Sequence, residues 1–320
     1  MLALVCPGQG SQVPGFLQPW LDQPGVADRL GWLCAVSGID LVTHGTTSDA
    51  ETIRDTAVAQ PLIVAAGLAT WPCVLDRLGA EASLPDVVAG HSVGEFAAAA
   101  LAGVLSVEQA IVLVRERGRA MAAASAVTAT GMSAVLGGDP EQVEAALAGF
   151  GLTAANRNGA GQIVAAGTGE QLAALAADPP ARTRVVPLQV AGAFHTHHMA
   201  PAVDVLASLS RALTPQRPAT TLLSNADGSA VTDGADVLSR LASQVAGPVR
   251  WDACMRTMAE LGVTGILELP PAGTLVGLAK RGLPGVELLA LRTPDDLSAA
   301  ADFVRAHAST LATSMEAGSR

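Results

Sequence analysis

The stretch DVVAGHSVGEFAAAA, Asp86 to Ala100, decides how this chain is read. DVVAG is a short apolar run of strand length closed by glycine, and the residues from Gly94 onward, GEFAAAALAGVL, have helical composition. Between them GHSVG fits G-x-S-x-G, a strand-to-helix turn so crowded that glycines must flank the serine, whose hydroxyl is lifted clear of the sheet. The blander reading is an ordinary turn with an incidental serine. The flanking strand and helix favour Ser92 as a nucleophile, and the free N–H groups opening the helix, that of Val93 included, favour a developing oxyanion.

Working outward, Leu2 to Cys6 followed by PGQGSQ repeats the strand-then-loop pattern, and Gln60 to Leu78 is an apolar stretch of helical length. Strand, helix and strand in that order predict a parallel sheet covered by helices. After Ala124 the texture changes. MSAVLG reads as a strand, DPEQVEAALAGF as a helix, LTAANRNGAGQIVAAG as two strands, GEQLAALAAD as a helix and TRVVPLQVAGAF as a final strand. This βαββαβ order is that of a ferredoxin-like unit. The expected organisation is an α/β chain with a discontinuous larger domain, residues 1–127 and 193–320, and a small domain inserted at 128–192. TLLSNADG and ILELPPAG read as strand-to-loop junctions, and the stretch after Pro294 as a helix with a frayed tail.

Half of the 320 residues are hydrophobic, only 3 % are aromatic and Tyr is absent, so the core must be built from Ala, Val and Leu. The net charge of -10 argues against a broad nucleic-acid footprint. Cys6, Cys34, Cys73 and Cys254 lie far apart with no metal-ligand spacing, so reduced thiols and no metal are expected. The run MLALVC is too short for a signal peptide, and no later run has the ~18 uninterrupted apolar residues of a membrane span. A cytoplasmic location without membrane attachment is expected.

A serine nucleophile needs a base, and histidine is the usual one at neutral pH. His44 and His307 lie in segments with no other site signal. His91 adjoins Ser92, but neighbours along a strand point to opposite faces, so it is better placed to touch substrate than to take the serine proton. In GAFHTHHM, His195 comes first after the expected strand end and is the base of choice, with His197 and His198 beside it at the surface. No acidic third member is identified by spacing.

Ser106 to Ala124 predicts a helix opened by a Ser106/Gln109 capping box. Arg115 and Arg119 share one face, while Arg117 projects among Leu113, Val114, Ala120 and Met121. A buried guanidinium must find an anion. One reading is a structural salt bridge or a snorkelling side chain; the sharper one is a substrate carboxylate held bidentately, which implies an acyl group carrying its own carboxylate.

PGQGSQ at Pro7–Gln12, GHSVGE at Gly90–Glu95, Arg117 with Met121, GQIVAAG at Gly161–Gly167, AFHT at Ala193–Thr196 and QVAGPVRW at Gln244–Trp251 together resemble the malonyl-CoA:acyl carrier protein transacylases, from residue 1 to about 300. The resemblance implies an α/β-hydrolase-like large domain with a ferredoxin-like insert. It implies Ser92 as nucleophile, His195 as base oriented by the backbone carbonyl of Gln244, and Arg117 as the clamp on the malonyl carboxylate. The backbone N–H groups of Gln9 and Val93 would form the oxyanion hole. Phe194 would favour malonyl over a branched methylmalonyl group, and Gln162 would contact the coenzyme A or pantetheine arm.

The expected reaction is ping-pong transfer of malonyl from malonyl-CoA to the phosphopantetheine thiol of acyl carrier protein, for fatty acid or polyketide synthesis, with no bound cofactor and a monomeric enzyme. Carrier proteins of this kind are acidic, so Arg115, Arg119, Lys280 and Arg281 are candidates for docking. The rival readings are a serine hydrolase or thioesterase, a non-catalytic carrier-binding scaffold, and a transacylase of malonate decarboxylation.

Overall fold

The computed structural model describes residues 1–79, 84–190 and 192–309. The strands are β1 (Leu2–Cys6), β2 (Val87–Gly90), β3 (Thr130–Gly137), β4 (Thr153–Gly159), β5 (Gln162–Thr168), β6 (Thr183–Pro187), β7 (Thr221–Leu223), β8 (Ala230–Val231), β9 (Val249–Arg250), β10 (Gly265–Glu268) and β11 (Glu287–Ala290). The helices are α1 (Val26–Ser37), α2 (Leu41–Thr46), α3 (Thr56–Leu78), α4 (Gly94–Leu101), α5 (Val107–Ser125), α6 (Pro140–Gly149), α7 (Gly169–Ala177), α8 (Ala200–Ser210), α9 (Gly234–Ser243), α10 (Trp251–Glu260), α11 (Thr274–Gly282) and α12 (Leu297–His307).

The molecule is a mixed α/β fold with two sheets. The first has the order β11-β10-β1-β2-β7-β8, parallel except for β8. β1 and β2, buried on both faces, read as unbroken apolar runs for that reason. From β1 the chain builds to one side through β2 and β7 and to the other through β10 and β11, so the strand order reverses at β1. In open parallel sheets the crevice at the carboxyl ends of such strands is the usual ligand site. The loops after β1 and β2 open there.

The second sheet has the order β6-β3-β5-β4-β9. Strands β3 to β6 with α6 and α7 follow the strand–helix–strand–strand–helix–strand order read from the sequence, and their pairings are antiparallel. Two differences stand out. The expected strand from Thr183 through Phe194 stops at Pro187, which stands opposite Ser133 on the edge of the sheet; the Leu188 N–H still donates to the Met132 carbonyl at 2.9 Å, but residues 188–190 have no regular structure. Residue 191 and the tail beyond residue 309 lie outside the described residues. The sheet also gains β9, a two-residue strand from far along the chain that pairs in parallel with β4, and the Arg250 N–H of β9 donates to the Asn225 carbonyl after β7 of the first sheet at 2.8 Å.

Helix α3 runs under α1, α5 and α12. By length and mean composition it could cross a membrane, but 83 % of its most apolar window is buried inside the protein. Its hydrophobicity is that of a core helix packed on all sides. α5 begins with the capping box at Ser106 and Gln109.

Candidate active site

Ser92 follows β2 by one residue, His91, and sits at φ 54°, in the left-handed region that a side chain other than glycine rarely adopts. The close packing around it leaves no alternative to glycine on either side. A Cβ at Gly90 would lie 2.0 Å from the carbonyl carbon of Gly94, and one at Gly94 would lie 2.2 Å from the Cys6 carbonyl oxygen. α4 is thereby pressed against the end of β1. The N–H groups of Val93, at the start of α4, and of Gln9, in the loop after β1, make no hydrogen bond among the described residues, and both residues line the same cavity. The Gln9 side chain is held by the Arg54 carbonyl and the Thr56 hydroxyl, both at 3.3 Å.

His195 reaches Ser92 from the loop after β6. Its Nε2 lies 2.7 Å from Ser92 Oγ, and its Nδ1 lies 2.9 Å from the backbone carbonyl of Gln244. A carbonyl can only accept, so Nδ1 carries the proton and Nε2 presents its lone pair to the serine hydroxyl. Burial, and then the charge of Arg117, push the His195 pKa down to about 3. The imidazole is therefore neutral at physiological pH. His195 is itself at φ 61°, a conformation that turns the ring back from its loop toward β2. His197 is exposed and stacks on the half-buried His198, centroids 4.1 Å apart.

Arg117 has no exposed surface and points into this site. Its Nη1 donates to Gln60 Oε1 at 2.7 Å, and its Nη2 donates to Gln244 Oε1 at 2.8 Å and Ser92 Oγ at 3.3 Å. The guanidinium lies 5.8 Å from the centre of the Phe96 ring, a distance at which the ring face attracts a cation. Among the described residues it forms no salt bridge. Burial lowers its pKa to about 10, partly offset by Glu95, so it remains charged. Gln60 turns its amide nitrogen to the sulfur of Met121 at 3.4 Å, which leaves its oxygen for Arg117.

A cavity of about 370 Å³ opens over Ser92 between the sheets. Met121, Phe194, His91 and Gln162 all line it. His91 Nε2 is 2.9 Å from Asn158 Oδ1 across the cleft, and its ring meets Trp251 edge-on, centroids 5.7 Å apart. Two register shifts in β4, between Ala154 and Asn156 and between Arg157 and Gly159, accompany the placing of Asn156 and Asn158 on the cavity wall, as bulges commonly re-aim side chains beside a site. At the mouth Arg281 donates to Gln162 Oε1 at 3.5 Å. Arg115 is not on an open face: it is half-buried, paired with Glu116 and bonded to the Ser37 carbonyl on α1. It and Arg119 occupy the side of α5 away from Ser92.

The sequence reading missed four polar residues. Gln60 carries the guanidinium from α3. Asn225, fully buried after β7, accepts from the Ser92 N–H at 2.7 Å and donates to the Gly90 carbonyl at 2.8 Å. Glu95 accepts from the Asn225 N–H at 2.6 Å and from the Gln244 side chain. Burial raises the Glu95 carboxyl to about 7, against the hydrogen bonds and the Arg117 charge that oppose it. Asn158 anchors His91. The only available signal was position: Asn225 stands in the TLLSNADG junction, and Glu95 directly follows the GHSVG turn.

A left-handed serine bonded to a neutral histidine, with a buried cation beside it, defines an acyl-transfer class of site, and the chain matches the acyl transferase domain family over residues 3–288. It is 51% identical over 303 residues, 95% of this chain and 100% of the relative, to the malonyl CoA-acyl carrier protein transacylase of Mycobacterium tuberculosis. The crystal structure of MCAT from that organism superposes with a TM-score of 0.90, covering 94% of this chain and 99% of the other at 51% identity. A complex of a type II PKS acyl-carrier protein with its malonyl-transacylase, PlMCAT:AntF in the holo form, gives a TM-score of 0.87 at 31% identity, covering 94% of this chain and 99% of that one. The chain belongs to the malonyl CoA-acyl carrier protein transacylase family.

Proposed function

We propose that this protein transfers a malonyl group from malonyl-CoA to the phosphopantetheine thiol of an acyl carrier protein, through a malonyl-serine at Ser92. The reading rests above all on Arg117, a wholly buried guanidinium aimed at Ser92 Oγ and held by amide oxygens rather than by a carboxylate of the protein. A buried cation with only neutral partners is complementary to an anionic acyl group.

His195 Nε2 takes the Ser92 proton, and Oγ attacks the thioester carbonyl. The oxyanion forms against the N–H groups of Gln9 and Val93. As the tetrahedral intermediate collapses, the C–S bond breaks and His195 returns its proton to the departing coenzyme A thiolate. The carrier's thiol gives its proton to His195 and attacks the acyl-serine carbonyl; the C–Oγ bond then breaks, His195 returns the proton to Ser92 Oγ, and the carrier leaves as the malonyl thioester. The Gln244 carbonyl holds the imidazole in the required tautomer. Phe194, Met121, His91 and Gln162 contact the substrate from the cavity wall. The thioester is substrate and the phosphopantetheine belongs to the carrier, so this chemistry calls for no further cofactor.

In this reading residues 1–127 and 193–320 form an α/β-hydrolase-like catalytic domain, roofed by a ferredoxin-like insert at 128–192. The enzyme acts as a cytoplasmic monomer in fatty acid synthesis, with polyketide synthesis as a further use of the same chemistry. Neither nucleic acid nor membrane is among its partners. The test is intact-mass measurement after malonyl-CoA treatment, then addition of holo carrier protein. A malonyl adduct that is lost in Ser92→Ala, persists in buffer and discharges to the carrier supports the proposal. Rapid discharge to water without carrier would replace it with a hydrolase.

A further inference from the structure

The strain at Ser92 asks what maintains it. A non-glycine residue at φ 54° persists only where surrounding contacts over-determine it. The flanking glycines permit the turn but do not hold it. We propose that Asn225 is a positioning residue that fixes Ser92 in its reactive conformation by bridging the elbow, its side-chain oxygen on the Ser92 N–H and its side-chain nitrogen on the Gly90 carbonyl.

Three features of the structure carry this. The two bonds, 2.7 and 2.8 Å, span the last residue of β2 and the serine itself, so the amide closes the turn. One end must accept and the other donate, as a neutral side-chain amide does. Asn225 is itself fixed: its N–H donates to Glu95 Oε1 at 2.6 Å, and its carbonyl accepts from the Arg250 N–H at 2.8 Å. Glu95 thus reaches from the first turn of α4 to seat the residue that restrains the turn before it. Asn225 touches neither the cavity nor the guanidinium, so its influence falls on Ser92 reactivity and not on recognition of the acyl group.

The proposal rests on Ser92 as the nucleophile, and its test separates the two. Asn225→Ala is compared with wild type and with Ser224→Ala, a neighbour in the same loop whose hydroxyl only accepts from the Ala226 N–H at 3.3 Å. Acylation of Ser92 is timed with malonyl-CoA, acetyl-CoA and phenylmethanesulfonyl fluoride, which reports a reactive serine without acyl-CoA binding, and thermal melts verify folding. Asn225→Ala is expected to stay folded and to lose about 100-fold in acylation rate with all three reagents, the scale of misplacing a reacting group by about 1 Å. KM and the malonyl-to-acetyl preference should stay within about twofold, and Ser224→Ala should match wild type. Wild-type rates in a folded Asn225→Ala, a defect confined to KM or to malonyl, or failure of that variant to fold would each overturn the proposal. Wild-type enzyme labelled by the sulfonyl fluoride but by no acyl-CoA would instead overturn the function.

Discussion

Arg117 donates to two glutamine oxygens and a serine hydroxyl while its Nε finds no partner among the described residues, an arrangement that holds the cation without neutralising it. Arg117→Ala is expected to reduce malonyl loading of Ser92 by about 2–5 kcal/mol in kcat/KM, the range for removing one member of a buried charged pair. Acetyl loading should change by no more than about threefold, because acetyl brings no carboxylate to the pair. Steady-state kinetics with both thioesters checks this, and an equal loss would mean that Arg117 supports the site rather than selecting its substrate. His195 makes a second prediction. Its pKa is depressed to about 3, so the neutral form persists far below the ordinary histidine range and the base is not lost as pH falls through about 6.5. Histidine-selective NMR should show His195 unprotonated from pH 8 to pH 5; a titration near 6.5 would contradict the buried, neutral base. The sequence showed Arg117 because a charge stood in an apolar helical stripe. It could not show Gln60, Glu95 or Asn225, since a buried amide or carboxylate with satisfied hydrogen bonds leaves no periodic trace.

At the scale of elements, three pieces of chain must meet within a few ångströms: the β2–α4 elbow, the loop after β1 and the loop after β6. Gly94 is where the first two touch. Gly94→Ala would place a methyl 2.2 Å from the Cys6 carbonyl oxygen, a backbone atom that cannot rotate away. The variant is expected to lose about 1–3 kcal/mol of stability as α4 shifts off β1, and to acylate more slowly because the Val93 N–H moves with the helix. Urea unfolding and loading rate together test it; a variant of unchanged stability would show that the elbow has slack. The elbow was legible because strand, glycine and helix signals coincide over a few residues. The approach to His195 was not. Its strand was expected to run through to Phe194, whereas β6 ends at Pro187 and the histidine arrives from irregular backbone with its own left-handed φ.

At the scale of the molecule, the cavity lies between two sheets linked by the Arg250 N–H to Asn225 carbonyl bond and the His91–Asn158 hydrogen bond. The order β3 to β6 in the second sheet, and β1, β2, β7 and β10 of the first, could be read from apolar runs and glycine breaks, whereas β8 and β11 went unread. β9 could not, because two residues carry no pattern and its partner strand lies far away in sequence. A chain of net charge -10 that receives an acidic carrier needs local positive charge at the cleft mouth, and Arg281 stands there beside Gln162. Arg281→Glu is expected to raise KM for the carrier about tenfold at low salt, with the difference shrinking as salt is added, and to leave sulfonyl fluoride labelling of Ser92 unchanged. An unaltered carrier KM would place docking elsewhere. The most direct measurement sets wild type against Arg117→Ala, each mixed with equal malonyl-CoA and acetyl-CoA and read by intact mass before and after holo carrier protein is added. Wild type should carry malonyl on Ser92 and pass it to the carrier, while the variant should carry acetyl. Malonyl on both proteins in equal amount, or no adduct on either, would contradict selection of a carboxylated acyl group by the buried guanidinium.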